Sequence, residues 1–230
     1  WFILSIVNCK PLNWYYRLLF TMTDIRCEFQ RMLPIRRINF TTPEAERERL
    51  VEEGKELYEE YLQNKELREV LSFVDQCLPQ KPDGSLNTER EQSDVVHDLL
   101  AFLAEEMTRL HKEKQLEIKG FLTWLEGYIG VRVEDLKNKT KVREYFKTDV
   151  GWEGFIGAVE QNRRAIESAK GIDVTHREPR EILKTGVDRS VAKLNPLLEH
   201  IELTDKLIDQ IVYRLYGLTE EEVAVVEGRS

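Results

Sequence analysis

Two stretches of the chain place apolar residues at alternating steps of four and three. The first runs Val96, Leu100, Leu103, Met107, Leu110, Lys114, Glu117, Phe121, Trp124, Tyr128, with eight of ten positions apolar or aromatic. The second runs Val187, Val191, Leu194, Leu198, Ile201, Asp205, Ile208, Val212, Leu215, with eight of nine aliphatic. A 3.5-residue repeat sustained this long predicts long helices meeting along a coiled-coil-like seam. Each would run on the order of 45 Å. The fold class read from this pattern is mainly α: a long antiparallel helical pair with shorter helices around it.

Polar residues break both seams: Lys114 and Glu117 in one, Asp205 in the other. An acid left unpaired on a seam costs several kcal/mol, whereas a paired one helps to fix register. Two readings of Asp205 stand open. It pairs with a base or caps a nearby backbone, or the seam splays there and leaves it wet.

Charge divides the chain differently. Residues 1–40 hold six bases and two acids, a net charge of +4, while the rest carries 28 bases and 40 acids, hence −12. The overall net charge of −8 therefore hides a basic, aromatic head on an acidic body. A uniformly basic nucleic-acid coat is excluded; a local basic patch is not. Within the head, Ile3 to Phe20 reads as a helix apolar nearly all round, the mark of a buried helix. Pro11 should kink or interrupt it. Ile25 to Ile38 reads as one or two short strands ended or bent at Pro34. So short a segment cannot complete a sheet. Residues 1–40 are therefore expected to be a small α/β remnant, the last part of a domain whose earlier strands lie upstream. Residues 41–230 are expected to form a separate helical domain.

Local signals punctuate the body. Thr42-Pro43 offers an N-cap with proline at the first helical position, opening a helix over Glu44 to Leu62. Lys65 to Leu78 reads as a second helix, and Pro79 to Ser85 as a loop with an Asp-Gly turn. Val142 to Phe146 and Phe155 to Ile166 look helical, and Gly151, Gly154 and Gly157 read as a turn. Thr219 and Glu222 form a capping box that starts a short helix through Glu227.

Several classes of chemistry lack their residues. Cys9, Cys27 and Cys77 are odd in number and widely spaced, the usage of reduced thiols in a cytoplasmic protein. The apolar run from Trp1 to Cys9 lacks the basic leader of a signal peptide and is far too short to span a bilayer. Because the chain begins at Trp1, it is expected to be a piece of a longer protein. His97, His111, His176 and His200 form no H-x-x-x-H pair on one turn. No G-x-S-x-G, P-loop or Cys–His nucleophile pair is present. The paired carboxylates, such as Glu52-Glu53 and Glu105-Glu106, lie in charged helical runs that read as solvated faces. No catalytic residue and no metal ligand is assigned. The candidate binding residues are the bases of the head, Lys10, Arg17, Arg26, Arg31, Arg36 and Arg37. Interleaved with Trp14, Tyr15, Tyr16 and Phe20, they suit phosphate contact and stacking on bases or sugars; the other reading of the same residues is an ordinary core edge with solvated arginines.

The run from Ile6 to Arg17, with Leu12-Asn13-Trp14-Tyr15-Tyr16, resembles the helix near the end of target-recognition domains in DNA-modifying restriction systems. Leu33-Pro34-Ile35 resembles the exit strand of those domains. The segment from Asp205 to Glu222, with Asp209-Gln210-Ile211-Val212-Tyr213-Arg214-Leu215-Tyr216-Gly217-Leu218-Thr219-Glu220, is similar to the C-terminal signature of type IIG restriction–modification enzymes. These are adenine-specific DNA methyltransferases with TaqI-like specificity domains. His111 to Gln115 and Gly120 to Glu126 resemble their helical region. The sequence departs from the pattern at Cys9 and Pro11, where Ser and Leu are usual.

The resemblance implies the C-terminal specificity and spacer part of such an enzyme. An upstream recognition domain would read bases in the major groove of duplex DNA. Residues 1–40 would pack beneath it and lend bases to the phosphates, and the long helices would act as a stiff spacer toward the methyltransferase domain of the same polypeptide. The acidic outer face would add no non-specific backbone binding. The Asn-Pro-Pro-Tyr motif and the glycine-rich cofactor loop of the family are missing here. Any S-adenosylmethionine, or Mg for cleavage, is therefore expected in the parent enzyme and not in this chain. A different class stays open beside it: a helical protein-interaction or dimerisation module unrelated to DNA.

Overall fold

The computed structural model describes residues 1–19 and 33–229. Among these the protein is helical, with ten α-helices. They are α1 (Phe2–Asn8), α2 (Lys10–Leu19), α3 (Glu44–Asn64), α4 (Arg68–Cys77), α5 (Ser93–Ile129), α6 (Lys139–Arg143), α7 (Gly151–Glu160), α8 (Arg163–Lys170), α9 (Arg177–Leu215) and α10 (Glu220–Val226). A 3₁₀ turn spans Val133–Asp135. The only β pairing among the described residues is an isolated antiparallel bridge between Gln80 and Leu86, which closes the Pro79–Ser85 loop.

The chain forms two compact units, Trp1–Arg109 with His200–Ser230, and Leu110–Glu199. The division does not fall at residue 40. The head shares a core with the helices that follow it: Phe2, Ile6, Cys9 and Leu12 pack in one cluster with Tyr58, Phe73, Leu99, Leu103, Leu207 and Ile211. Fully burying an aliphatic or aromatic side chain is worth about 1.5–3 kcal/mol. That is why this head is held by the body.

The second unit has its own core. Phe121, Leu125 and Ile129 of α5 meet Tyr145, Phe155, Ile156, Val159 and Ile166, with Leu183, Val187 and Leu194 of α9. Phe121 is the hub of an aromatic group, with its ring 4.1 Å from that of Tyr145 and 5.9 Å from that of Phe155.

Several local expectations shift for identifiable reasons. The apolar helix of the head is divided, but at Cys9, whose backbone is extended (φ −71°, ψ 157°). Pro11 falls in the first turn of α2, where an amide would have no helical partner, so its missing N–H is tolerated. Nor is the helix buried all round: Trp1, Ile3, Leu4 and Leu18 are exposed. Residues 34–40 carry no regular structure, and the earlier part of the expected strand lies outside the described residues. Gly151, Gly154 and Gly157 lie within α7 and not in a turn. Burial of Phe155, Ile156, Ala158 and Val159 outweighs the cost of about 1 kcal/mol per helical glycine.

Both heptad stretches are helical, and the buried stripe is broader than the heptad walk. In α5 it takes in Val95, Leu99 and Ala104 beside Val96, Leu100 and Leu103, then Leu125 and Ile129, while Trp124 is exposed. That is the wide apolar face of a globular helix. Helix α9 continues through Pro196, which removes one backbone hydrogen bond from its interior.

Candidate functional site

The head carries the sequence-derived binding residues, and three connections fix it in place. First, the Lys10 amide, at the start of α2, donates to Asp209 Oδ1 at 2.8 Å, and the Lys10 ammonium lies 2.8 Å from Oδ2. No other donor among the described residues reaches Oδ2. A buried carboxylate thus meets the positive end of a helix that has no acid in its own first turn. The hydrogen bond to Asp209 raises the pKa of Lys10, against a partial loss of hydration, and the charges of Asp209 and exposed Asp205 add to the effect.

Second, Arg36 is engaged internally. Its Nη2 reaches both oxygens of Glu91, at 2.7 and 2.6 Å, and its Nη1 donates to the Leu215 carbonyl at the end of α9. The Arg36 amide donates to the Tyr216 hydroxyl at 3.1 Å. A guanidinium that holds a carboxylate through one terminal nitrogen and a helix C-terminus through the other has little left for a phosphate.

Third, Asp94 ties the end of the head to α5. It accepts from the amides of Thr41 and Thr42, at 2.9 and 2.7 Å, and from the Thr42 hydroxyl at 2.7 Å. This is why Thr42 does not cap α3: the hydroxyl is taken, and Pro43 stands at the cap position without a side-chain bond. Burial works against the Asp94 charge, but the bonds from Thr42, Thr41 and Val95 outweigh it and hold the carboxyl below its ordinary range.

Of the remaining bases, Arg17 and Arg37 are exposed, and Lys10 is half-exposed beside Asp209. Arg26 and Arg31 lie outside the described residues. The structure therefore separates the candidates into Arg36, locked within the fold, and Arg17 and Arg37, open to solvent. The partners Glu91, Asp94 and Asp209 were missed by the sequence reading. Asp209 pairs with a residue 199 positions away, and no local pattern announces that.

An apolar groove of about 270 Å³ lies between α2 and α10, lined by Leu12, Trp14, Tyr15, Pro34, Tyr216 and Val225. Its far wall is fixed by the capping box, in which the Glu222 amide donates to Thr219 Oγ1 and Glu222 Oε2 accepts from the Thr219 amide.

His97, Cys9 and Cys77 serve packing. His97 sits between Phe2 and Phe40, with ring centroids 4.3 and 5.1 Å away, and its Nδ1 is 2.7 Å from Asp98. Cys9 and Cys77 are buried, and burial pushes both thiols up to about 12. Among the described residues no three His, Cys, Asp or Glu side chains gather as a metal site, and no helix is long and apolar enough to cross a membrane. Comparison with known protein families, with curated proteins and with solved structures finds no match to this chain.

Proposed function

We propose that the protein is the C-terminal specificity and spacer part of a type IIG restriction–modification adenine DNA methyltransferase, joining a recognition domain to a catalytic domain. The resemblance of Leu12 to Tyr16 and of Asp205 to Glu222 suggests the class. The observation that carries the reading is the unequal burial of the head's apolar residues. Ile6, Cys9 and Leu12, with Lys10 and Arg36, are held by the helical body. Trp1, Ile3, Leu4 and Leu18 are left exposed, each 43–64% accessible. Covering these half-exposed side chains would add part of the about 1.5–3 kcal/mol of a full burial apiece, which suits contact with a further domain.

In this reading the body acts as the spacer. What supports an antiparallel run of α5 and α9 between residues 110 and 199 is their register. Glu117 meets Lys193, and seven residues later Trp124 meets Gly186, seven residues earlier. Arg17 and Arg37 would contact phosphates and position the recognition domain on duplex DNA without reading its sequence. Methyl transfer, with its S-adenosylmethionine, belongs to the catalytic domain.

The test is duplex-DNA binding at several salt concentrations, for this chain alone and extended through its upstream region. The extended polypeptide should bind one sequence preferentially and salt-sensitively, and the chain alone weakly without preference. An extended polypeptide that prefers no sequence overturns the reading. The same exposed residues favour a second reading, a dimerisation module. A tight dimer of this chain in sedimentation, abolished by Leu18→Asp, would support that one instead.

A further inference from the structure

We propose that the cleft between α5 and α9 in the second unit is a binding site for a nucleoside monophosphate, its base lying on Trp124 and its phosphate on Arg189. The cleft measures about 620 Å³, within the range of small-molecule sites. Trp124 is 39% exposed and forms part of its wall. The indole is held in place. It lies so close to the α9 backbone at Gly186 that a Cβ there would come within 2.3 Å of the ring. It also runs parallel to Tyr128, at an interplanar angle of 8° and a centroid distance of 5.9 Å. An exposed aromatic plate that is pre-positioned binds a planar ring with little ordering cost.

Charge is distributed along the same face of α9. Glu178 and Glu181 lie toward one end of the cleft, and Arg189 and Lys193 toward the other. Lys193 is 3.1 Å from Glu117, which is fixed in turn by Ser190 at 2.8 Å. Because Ser190 donates to the Glu117 carboxylate, the buried Tyr145 hydroxyl, 2.7 Å away, must donate to Ser190. This chain makes a rigid wall. Arg189 has no hydrogen-bond or ion-pair partner among the described residues, and it lines the same cleft as Trp124, three residues beyond Gly186 on α9.

A planar ring on Trp124 with an anionic group at Arg189 satisfies both features. Glu181 and Arg189 are eight residues apart, about 12 Å along the helix, which suits a base edge at one end and a phosphate at the other. Arg177 donates to Glu181 Oε1 alone at the rim, so Glu181 Oε2 is the acceptor left for an exocyclic amino group.

The experiment is calorimetric titration of the full chain with adenosine monophosphate, adenosine and inorganic phosphate. The monophosphate should bind in the sub-millimolar range, with adenosine about tenfold weaker and phosphate alone undetectable. Arg189→Ala should bring the monophosphate to the affinity of adenosine and leave adenosine unchanged. Trp124→Ala should weaken both by about tenfold. If Trp124→Ala fails to fold, the Arg189→Ala comparison decides alone, because Arg189 is exposed. Absence of monophosphate binding at about 10 mM, or binding indifferent to Arg189→Ala, overturns the proposal.

Discussion

Lys10 and Asp209 are joined twice, backbone amide to Oδ1 and ammonium to Oδ2, so one carboxylate both caps α2 and neutralises its first side chain. The two halves of this contact are unequal. The Asp209 side chain is buried, whereas that of Lys10 is 53% exposed. Lys10→Met keeps the amide bond but leaves Oδ2 of a buried carboxylate without a donor, so it should cost about 3 kcal/mol. Asp209→Ala removes that buried charge together with the cap and leaves only a half-solvated ammonium, so it should cost about 1–2 kcal/mol. Urea denaturation of the two variants checks this asymmetry, and equal losses would contradict it.

Asp94 gives stability a dependence on acid. Its pKa is lower in the folded protein than in the unfolded chain, so the unfolded state takes up its proton first. The stabilisation is complete above the ordinary aspartate value of about 4 and is lost as pH falls through the depressed folded value. Asp94→Asn should therefore cost about 2 kcal/mol at neutral pH. The gap from the parent protein should narrow in thermal melts below that window.

Arg36 and Arg37 are neighbours with opposite expected roles. Arg36→Ala should destabilise the isolated chain by about 2–3 kcal/mol, and Arg36→Lys should recover little, because an ammonium cannot replace the fork across Glu91 and Leu215. Arg37→Ala should leave the melting temperature unchanged. In the upstream-extended polypeptide it should lower DNA affinity and reduce the salt slope by about one.

At Gly186 a methyl group would force the Trp124 indole off its seat against α9. Alanine gains about 1 kcal/mol in helix propensity, which offsets part of the lost packing. Gly186→Ala should thus fold with a loss of about 1 kcal/mol. In fluorotryptophan NMR the Trp124 resonance should move, while those of Trp1 and Trp14 stay in place.

The legible parts of this fold are those whose cause is local. The Thr219–Glu222 box, the helix after Pro43 and the two long apolar repeats each follow from residues within a turn or two of one another. What escaped the reading depends on distant partners. Thr42 looks like a cap until Asp94, fifty-two positions on, takes its hydroxyl. Glycines 151, 154 and 157 look like a turn until Phe155 and Ile156 find a core. The spacing of the head's bases shows a local excess of positive charge. That Arg36 belongs to Glu91 and the Leu215 carbonyl is a tertiary fact, with no trace in the spacing of the arginines.

The first unit draws its core from both sides of the second. Leu207, Ile208, Ile211, Val212 and Leu215 reach it only after Leu110–Glu199 has been synthesised. Domains fold as units during synthesis, at about 5–20 residues per second. On the ribosome the later-starting unit should therefore be finished first. Phe2, Ile6, Val95 and Leu99 must wait several seconds, without their closing helix, as the stretch most in need of a chaperone.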